Sequence, residues 1–421
     1  MRDADSALRA RSGTERLEIN GRTYAWPSRP VVVVCVDGSE AAYHERAVAD
    51  GRMPFLERML ARGGDLRAEC TMPSFTNPNN LSIATGAPPS VHGICGNYFY
   101  DPDSGTEVMM NDPGLLRAET LFARFSQEGA RVTVITAKDK LRRLLGRGLK
   151  DGICFSAEKA SEANEAENGI SKVLERTGME QPSVYSAELS ELVMAAGVSV
   201  LESDRPELVY LSLTDYIQHK HAPGSPVAND FYAMLDGYFE RIDALGAVLV
   251  VTADHGMNAK SDGAGEARVV FLQDALDARL GESAARVVLP ITDPYTVHHG
   301  ALGSYATVHL PESADVPSLV RELAALDGVE AVLTREEACE RFELPGDRIG
   351  ELVVISERNT ALGTTPARHD ISGFKEPLRS HGGLSEQWVP LLVNAEVTGV
   401  PEGHRLRNFD SYWIGTALAT A

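Results

Sequence analysis

Short runs of apolar, mostly β-branched residues that end abruptly in polar residues are the feature that most constrains how this chain folds. The run 247–251 is followed by Asp254 and His255, and the run 31–36 is followed by Asp37. Such runs are typical of buried parallel strands, and ligand sites in open α/β sheets lie where those strands end. We therefore expect these three side chains at one edge of a sheet, where they could share a metal ion or form a solvated turn.

Residues 207–214 form another apolar run, and Asp215 and His219 follow it. One helical turn separates these two residues, so both would lie on the same face of a helix. His381 precedes a further run, 388–393, and its glycine neighbours allow the backbone to approach a ligand closely. The pattern predicts an α/β fold with a mostly parallel sheet flanked by helices.

Thr76 lies two residues before Pro78, a residue that suits the first turn of a helix. The positive end of that helix would stabilise an anion and make a hydroxyl easier to ionise. Thr76 could equally be an N-cap that satisfies the helix backbone. Asn97, in the turn-rich segment 88–102, could donate a hydrogen bond to a phosphoryl oxygen or simply form a turn.

Two lysines, Lys138 and Lys140, follow the predicted strand 131–136. Ammonium groups at a strand end can hold an anion, although lysines in loops are commonly solvated.

The pattern of elements changes between residues 261 and 374, where short strands alternate with helices. We interpret this segment as a small inserted α/β cap, with residues 21–260 and 375–421 forming the core. Residues 1–20 are predicted to be a disordered leader. The adjacent His298 and His299 within the cap are assigned to the surface or a lid, because neighbouring histidines point apart in an extended chain.

Composition excludes several classes of protein. The net charge is −20, with 60 acidic and 40 basic residues, which argues against nucleic acid or an anionic membrane as a partner. No apolar stretch has the length of a membrane span, and the first residues are too charged for a signal peptide. The five cysteines form no C-x-x-C pair, so free thiols in a cytoplasmic protein are expected. A homodimer is compatible with the sequence, which does not determine the oligomeric state.

The candidate site residues share oxygen and nitrogen donors without a thiolate, a set that suits a catalytic Zn²⁺. Several carboxylates on separate strands indicate two ions, because one ion needs fewer ligands. A pair of metal ions can activate a nucleophile and clamp a phosphoryl group. The predicted set is Asp37, Thr76, Asp215, His219, Asp254, His255 and His381.

The segments 76–86 and 92–102, together with these ligand positions, resemble the alkaline phosphatase superfamily in its nucleotide pyrophosphatase/phosphodiesterase-like branch. The resemblance covers the core on both sides of the cap. It implies two zinc ions, one of which could be replaced by another divalent metal, and a role for Asn97 in steadying a phosphoryl oxygen. One zinc would be held by Asp215, His219 and His381, and the other by Asp37, Thr76, Asp254 and His255.

Lys138 and Lys140 are similar to the lysines of members that cleave a carbon–phosphorus bond. The resemblance then implies hydrolysis of phosphonoacetate, a small anionic phosphonate, to acetate and phosphate through a phosphothreonine at Thr76. A phosphodiesterase or phosphomonoesterase of the same superfamily is the alternative. A non-catalytic metal- or anion-binding protein would require a defect in the ligand set, and a phosphoglycerate mutase generally has serine at this threonine position.

Overall fold

A computed structural model of the chain describes residues 15–62, 64–291, 302–369 and 377–420. Its centre is a six-stranded sheet in which five neighbouring strands are parallel and the strand at one edge is antiparallel. The predicted α/β fold with a mostly parallel sheet is confirmed. In spatial order the strands are Leu391–Val393, Val248–Thr252, Val31–Cys35, Leu208–Ser212, Val132–Thr136 and Ile153–Ser156.

Both faces of the central sheet are buried, which explains why its strands are apolar without alternation. Along the strand Val31–Cys35, Val31 and Val33 pack into one apolar cluster, whereas Val32 and Val34 pack into the other. Successive side chains of a strand point to opposite faces, so each strand contributes to both clusters.

Helices cover both faces of the sheet. The long helices Glu188–Ser203 and Pro226–Ala244 contribute to one cluster, and the helix Thr76–Thr85 contributes to the other. The remaining α-helices within the described ranges are Ala41–Ala49, Pro54–Leu60, Pro89–His92, Leu121–Gln127, Asp139–Leu145, Glu165–Asn168, Val173–Thr177, Tyr216–Lys220, Leu272–Leu280, Val316–Ala324, Arg335–Phe342 and Ser411–Trp413.

A second, four-stranded antiparallel sheet lies within residues 261–374. Side chains of this sheet belong to the same apolar cluster as one face of the central sheet, so the two parts share a continuous core. The division into a core and an inserted cap stays a prediction. The strands are, in order, Arg286–Val288, Tyr305–His309, Leu352–Ser356 and Val329–Thr334.

Short two-stranded ribbons complete the described structure. Their pairs are Arg16–Ile19 with Arg22–Ala25, Ala68–Glu69 with Trp388–Val389, Tyr98–Asp101 with Thr106–Met109, Asn258–Ala259 with Arg379–Ser380, Val269–Phe271 with Ala361–Gly363, and Glu396–Val397 with Ala419–Thr420.

Two expectations differ in detail from the structure. Within the predicted leader 1–20, Arg16–Ile19 forms a strand paired with Arg22–Ala25, while residues 1–14 lie outside the described residues. The single strand expected over 388–393 is two strands separated by Pro390, because proline has no N–H to donate to a ladder.

All five cysteines are free, as predicted. None of the helices in the described ranges is long and apolar enough to cross a bilayer. His298 and His299 lie outside the described residues, so their predicted surface or lid role stays a prediction.

Candidate active site

Four neighbouring parallel strands deliver polar residues to one edge of the central sheet. Asp37 follows the strand Val31–Cys35, Asp215 follows its neighbour on one side, and Asp254 follows its neighbour on the other. Lys138 comes after the next strand, Val132–Thr136. The carboxyl ends of parallel strands share an edge, so these residues converge although they are far apart in sequence.

The first cluster of candidate metal ligands is Asp215, His219 and His381, and all three are buried. Asp215 directly precedes the short helix Tyr216–Lys220, which carries His219 one turn later. His219 Nε2 lies 2.8 Å from an oxygen of Asp215. His381 joins them from the glycine-rich loop after Arg379–Ser380, and the three donor atoms lie within 4.8 Å of one another.

The second cluster is Asp37, Asp254 and His255, also buried and also with donor atoms within 4.8 Å of one another. His255 Nε2 lies 3.3 Å from Asp37 Oδ1 and 3.8 Å from Asp254 Oδ2. Asp254 is held in place by the backbone N–H groups of Gly38 and His255 and by the amide of Asn80.

The three histidines of these clusters share one orientation. In each, Nδ1 is hydrogen-bonded to a backbone carbonyl, so it carries the proton and leaves the Nε2 lone pair facing the site. This is the arrangement commonly found for metal-ligating imidazoles. The pairs are His219 with Arg379 O at 3.0 Å, His255 with Gly256 O at 2.9 Å, and His381 with Ser74 O at 2.8 Å.

The electrostatic potential at the second cluster is strongly negative. Burial raises the pKa of Asp37 well above its usual range, and the nearby carboxylates of Asp215 and Asp254 raise it further. Burial lowers the pKa of His255, but the carboxylates of Asp254 and Asp37 outweigh burial and raise it to about 10. The field at this position therefore favours a cation.

The first cluster combines one carboxylate with two imidazoles and lies beside the ammonium of Lys138. Burial raises the pKa of Asp215, but the imidazole of His219 and the ammonium of Lys138 outweigh it and hold the pKa well below its usual range. Burial and the neighbouring His255 lower the pKa of His381 well below its usual range, which favours the neutral imidazole that a metal needs.

The donor set fits a divalent metal. With His255 Nε2 presenting its lone pair 3.3 Å away, the buried Asp37 Oδ1 has no hydrogen-bond donor among the described residues. A buried carboxylate oxygen without a donor is costly unless a cation contacts it. Nitrogen and carboxylate donors without thiolate suit zinc in a catalytic site. Such a site has three protein ligands and keeps a further position open for water or substrate.

Thr76 is the first residue of the helix Thr76–Thr85. The residue at the N-cap position is Phe75, so the alternative that Thr76 serves as an N-cap is wrong. Thr76 Oγ1 lies 3.4 Å from Nε2 of His255, at the edge of the second cluster. Its hydroxyl is therefore available to chemistry at the helix N-terminus.

A cleft brings the predicted nucleophile and the two lysines together. Lys138 and Lys140 are half-buried, and Lys138 Nζ lies 4.0 Å from Asp215 Oδ1. The cleft is lined by Asp37, Thr76, Asn77, Asn97, Met109, Asn111, Lys138, Lys140, Leu141, Ser212 and Leu213. All four residues of the predicted catalytic set, namely Thr76, Asn97 and the two lysines, border this one space.

Asn77 and Asn111 line the cleft, but our reading of the sequence did not select them. The backbone N–H of Asn77 donates to Asn97 Oδ1 at 3.4 Å, and its side chain faces Asn111 Oδ1 at 3.5 Å. The position of Asn77 beside Thr76 was a usable signal, because both begin the same helix. Asn111 lies in a loop with no pattern that marks it.

Two histidines that were not selected as ligands lie outside both clusters. His92 is fully buried, accepts a hydrogen bond from the N–H of Ile94 and contacts Ser82 Oγ through Nε2. Burial lowers its pKa to about 3, so it is a neutral core histidine. His221 directly follows the short helix that carries His219.

The fold and the paired clusters define an alkaline-phosphatase-like hydrolase that acts on phosphorus-containing bonds. The family model of type I phosphodiesterase / nucleotide pyrophosphatase matches residues 31–383, and the chain belongs to this family. The predicted resemblance to this superfamily and branch is thereby confirmed, and the superfamily is generally metal-dependent.

Solved structures give two levels of similarity. Phosphonoacetate hydrolase from Sinorhizobium meliloti 1021, in complex with phosphonoacetate or with phosphonoformate, is 54% identical in sequence, with a TM-score of 0.93. The match covers 96% of this chain and 99% of that one. Human ectonucleotide pyrophosphatase / phosphodiesterase 5 is 17% identical with a TM-score of 0.62 over 91% of this chain and 93% of that one, which shows a shared fold.

The Saccharomyces cerevisiae ectonucleotide pyrophosphatase/phosphodiesterase 1 is 25% identical over 334 residues, which are 69% of this chain and 40% of that protein. An uncharacterised Schizosaccharomyces pombe pyrophosphatase/phosphodiesterase is 24% identical over 245 residues, or 55% of this chain and 45% of that protein. The chain thus spans less than half the length of either yeast relative.

Proposed function

We propose that the protein hydrolyses the carbon–phosphorus bond of phosphonoacetate, giving acetate and phosphate through a phosphothreonine at Thr76. The observation that carries the proposal is one cleft lined by Thr76, Lys138, Lys140 and Asp37 of the second cluster. Lys138 Nζ also lies 4.0 Å from Asp215 Oδ1 of the first cluster. The 54% identity to a phosphonoacetate hydrolase along almost the whole of both chains supports it.

Two zinc ions are proposed, with another divalent metal able to replace one of them. Asp215, His219 and His381 would hold one ion, and Asp37, Thr76, Asp254 and His255 would hold the other. When bound, zinc would lower the pKa of a coordinated hydroxyl and neutralise charge on the phosphoryl group.

Thr76 is the proposed nucleophile. Its hydroxyl loses a proton, and Oγ1 forms a bond to phosphorus as the carbon–phosphorus bond breaks. The electron pair of the broken bond passes to carbon, which takes a proton from solvent to give acetate. Water then attacks phosphorus, which releases phosphate and restores the threonine hydroxyl. The Asn97 amide, which borders the cleft, would steady a phosphoryl oxygen.

Lys138 and Lys140 would make the carbanion an acceptable leaving group. Negative charge leaving phosphorus spreads into the neighbouring carboxylate of the substrate as an enediolate. Two ammonium groups that face this position stabilise that charge more in the transition state than in the ground state, and such differential binding accelerates the reaction.

A phosphodiesterase or phosphomonoesterase activity is the second candidate, because the metal ligands by themselves do not select the leaving group. The family match favours it at this broader level. An ester expels an alkoxide or aryloxide, which needs no lysine to delocalise its charge.

Phosphate release from a panel of phosphonoacetate, other phosphonates and aryl phosphate esters tests the proposal. We expect phosphonoacetate to be the preferred substrate of zinc-loaded protein. Ester cleavage with no phosphate released from phosphonoacetate would contradict the proposal and favour the second candidate.

A further inference from the structure

A fully buried ion pair, Lys260 with Glu386, lies behind the two ligand clusters. Lys260 Nζ is 2.8 Å from Glu386 Oε1, and both side chains have no exposed surface. Lys260 also donates to the carbonyl oxygen of Arg358 at 2.7 Å. Neither residue borders the cleft, and the proposed reaction uses neither of them.

Glu386 connects the two loops that carry His255 and His381. Its Oε2 accepts a hydrogen bond from the N–H of Gly383 at 2.9 Å, two residues after His381. Its backbone oxygen accepts from the N–H of Gly256 at 2.7 Å, the residue after His255.

In all, three donors converge on Glu386 Oε1. These are Asn258 Nδ2 at 2.6 Å, Ser385 Oγ at 2.6 Å and Lys260 Nζ at 2.8 Å. Burial raises the pKa of Glu386, but Lys260 and these hydroxyl and amide donors outweigh it, so the pKa lies below its usual range. The carboxylate is therefore ionised and held by donors from both loops.

The same two loops are joined by a short antiparallel ribbon, in which Asn258 pairs with Ser380 and Ala259 with Arg379. Residues of the two clusters then meet directly, because the rings of His255 and His381 are stacked. A fully buried ion pair is a poor source of stability, since apolar residues of similar volume are often as stabilising or more so. Its hydrogen bonds, however, fix the spacing of two backbone segments.

We infer that Glu386, with Lys260 as its counter-charge, is a positioning residue that sets the spacing between the two ligand clusters. The inference rests on the proposed two-metal function. Loss of the carboxylate removes the hydrogen bonds that Asn258 and Lys260 donate to it from the other loop, so the loops bearing His255 and His381 can shift relative to each other. Partners of this kind typically change metal affinity or activity about 10- to 100-fold when removed.

The test uses the double variant Lys260→Met/Glu386→Leu, which removes both buried charges together and so avoids leaving one of them unpaired. The control is Arg335→Met/Glu351→Leu, a partly exposed ion pair between the first residue of the helix Arg335–Phe342 and the residue before the strand Leu352–Ser356. Zinc stoichiometry and affinity are measured by competition with a chromophoric chelator. The magnetic coupling of the Co²⁺-substituted protein reports the spacing of the two ions independently of activity.

We expect the Lys260/Glu386 variant to fold, to bind one of its two zinc ions at least about tenfold more weakly and to show altered coupling, while the control binds as the parent does. A folded variant with parental affinity for both ions and unchanged coupling would overturn the inference alone. If the parent itself binds a single ion, the two-metal function fails and the inference fails with it. Should the double variant not fold, Glu386→Gln supplies the same three measurements.

Discussion

The imidazole rings of His255 and His381 lie parallel, with centroids 3.6 Å apart and an angle of 5° between their planes, although they belong to different ligand clusters. The two clusters are therefore in direct contact. Two-metal phosphoryl-transfer sites hold their ions about 3.5–4 Å apart, a spacing that requires ligands this close together.

Replacing Thr76 by alanine should reduce phosphate release from every substrate by on the order of 10³-fold or more, because the nucleophile itself is lost. Zinc content and phosphate release are measured together. The control Thr76→Ser keeps a hydroxyl and should retain part of the activity. Mass spectrometry of quenched parent protein should find phosphate on Thr76, and none on the alanine variant; equal labelling of both would exclude this nucleophile.

Replacing Lys138 and Lys140 by methionine should lower kcat/KM for phosphonoacetate by about 100-fold or more, since each ammonium stabilises charge that develops on the leaving group. An aryl phosphate ester should lose far less activity, because its leaving group does not need them. Lys172, with 70% of its side chain exposed, supplies a matched Lys172→Met control. Equal losses on both substrates would favour the esterase alternative.

Replacing His219 by glutamine should reduce bound zinc from two ions per chain to one, because one ligand of the first cluster is lost. His221→Gln changes a histidine of the same segment outside both clusters and should leave the stoichiometry unchanged. Metal analysis after dialysis gives the measurement. Chelation should abolish activity in the parent, and added zinc should restore it. Two tightly bound ions in the His219 variant would contradict the assignment.

Asn80 is expected to orient a carboxylate of the second cluster. Its Nδ2 donates to Asp254 Oδ2 at 3.1 Å, while its Oδ1 accepts from Tyr210 at 2.7 Å and from Ser212 at 2.9 Å. Asn80→Ala should weaken zinc binding at that cluster by about 10- to 100-fold. Titration with a chelator measures the effect. Unchanged affinity for both ions would show that Asp254 needs no such support.

His92 should make the free energy of unfolding depend on pH. Its folded pKa of about 3 lies below the ordinary histidine value of 6.5, so the unfolded chain binds more protons between these two pH values. Stability from this residue is fully present above pH 6.5 and falls as the pH drops towards 3, by up to about 1.4 kcal/mol per pH unit. Denaturant unfolding of the metal-free parent and of His92→Gln measures the difference. Parallel pH profiles would refute the prediction.

The strand pattern predicted much of the site because it is a local property. Asp37, Asp215 and Asp254 each follow an apolar run, and the structure brings all three to the same sheet edge. Similarly, Pro78 indicated the first turn of a helix, and the helix begins two residues earlier, at Thr76. Short-range chemistry determines such elements, so composition and spacing suffice to find them.

Features that depend on contacts between distant loops could not be predicted in this way. Asn111 reaches the cleft from a loop without periodicity, and Lys260 meets Glu386 across 126 residues of sequence. Each residue alone is an ordinary polar residue in the sequence. The residue that each of them contacts is determined only by the tertiary fold.

By itself, the sequence determined the α/β class and the strand ends that are followed by carboxylates and lysines. A parallel sheet buried on both faces requires apolar runs that stop at the sheet edge, so these features can be read from the sequence. Tertiary structure alone decided how His381 approaches from a remote loop to stack on His255, and which buried pair ties the two loops together. Such approach depends on the packing and hydrogen bonding of backbone segments far apart in the chain, and no local pattern encodes it.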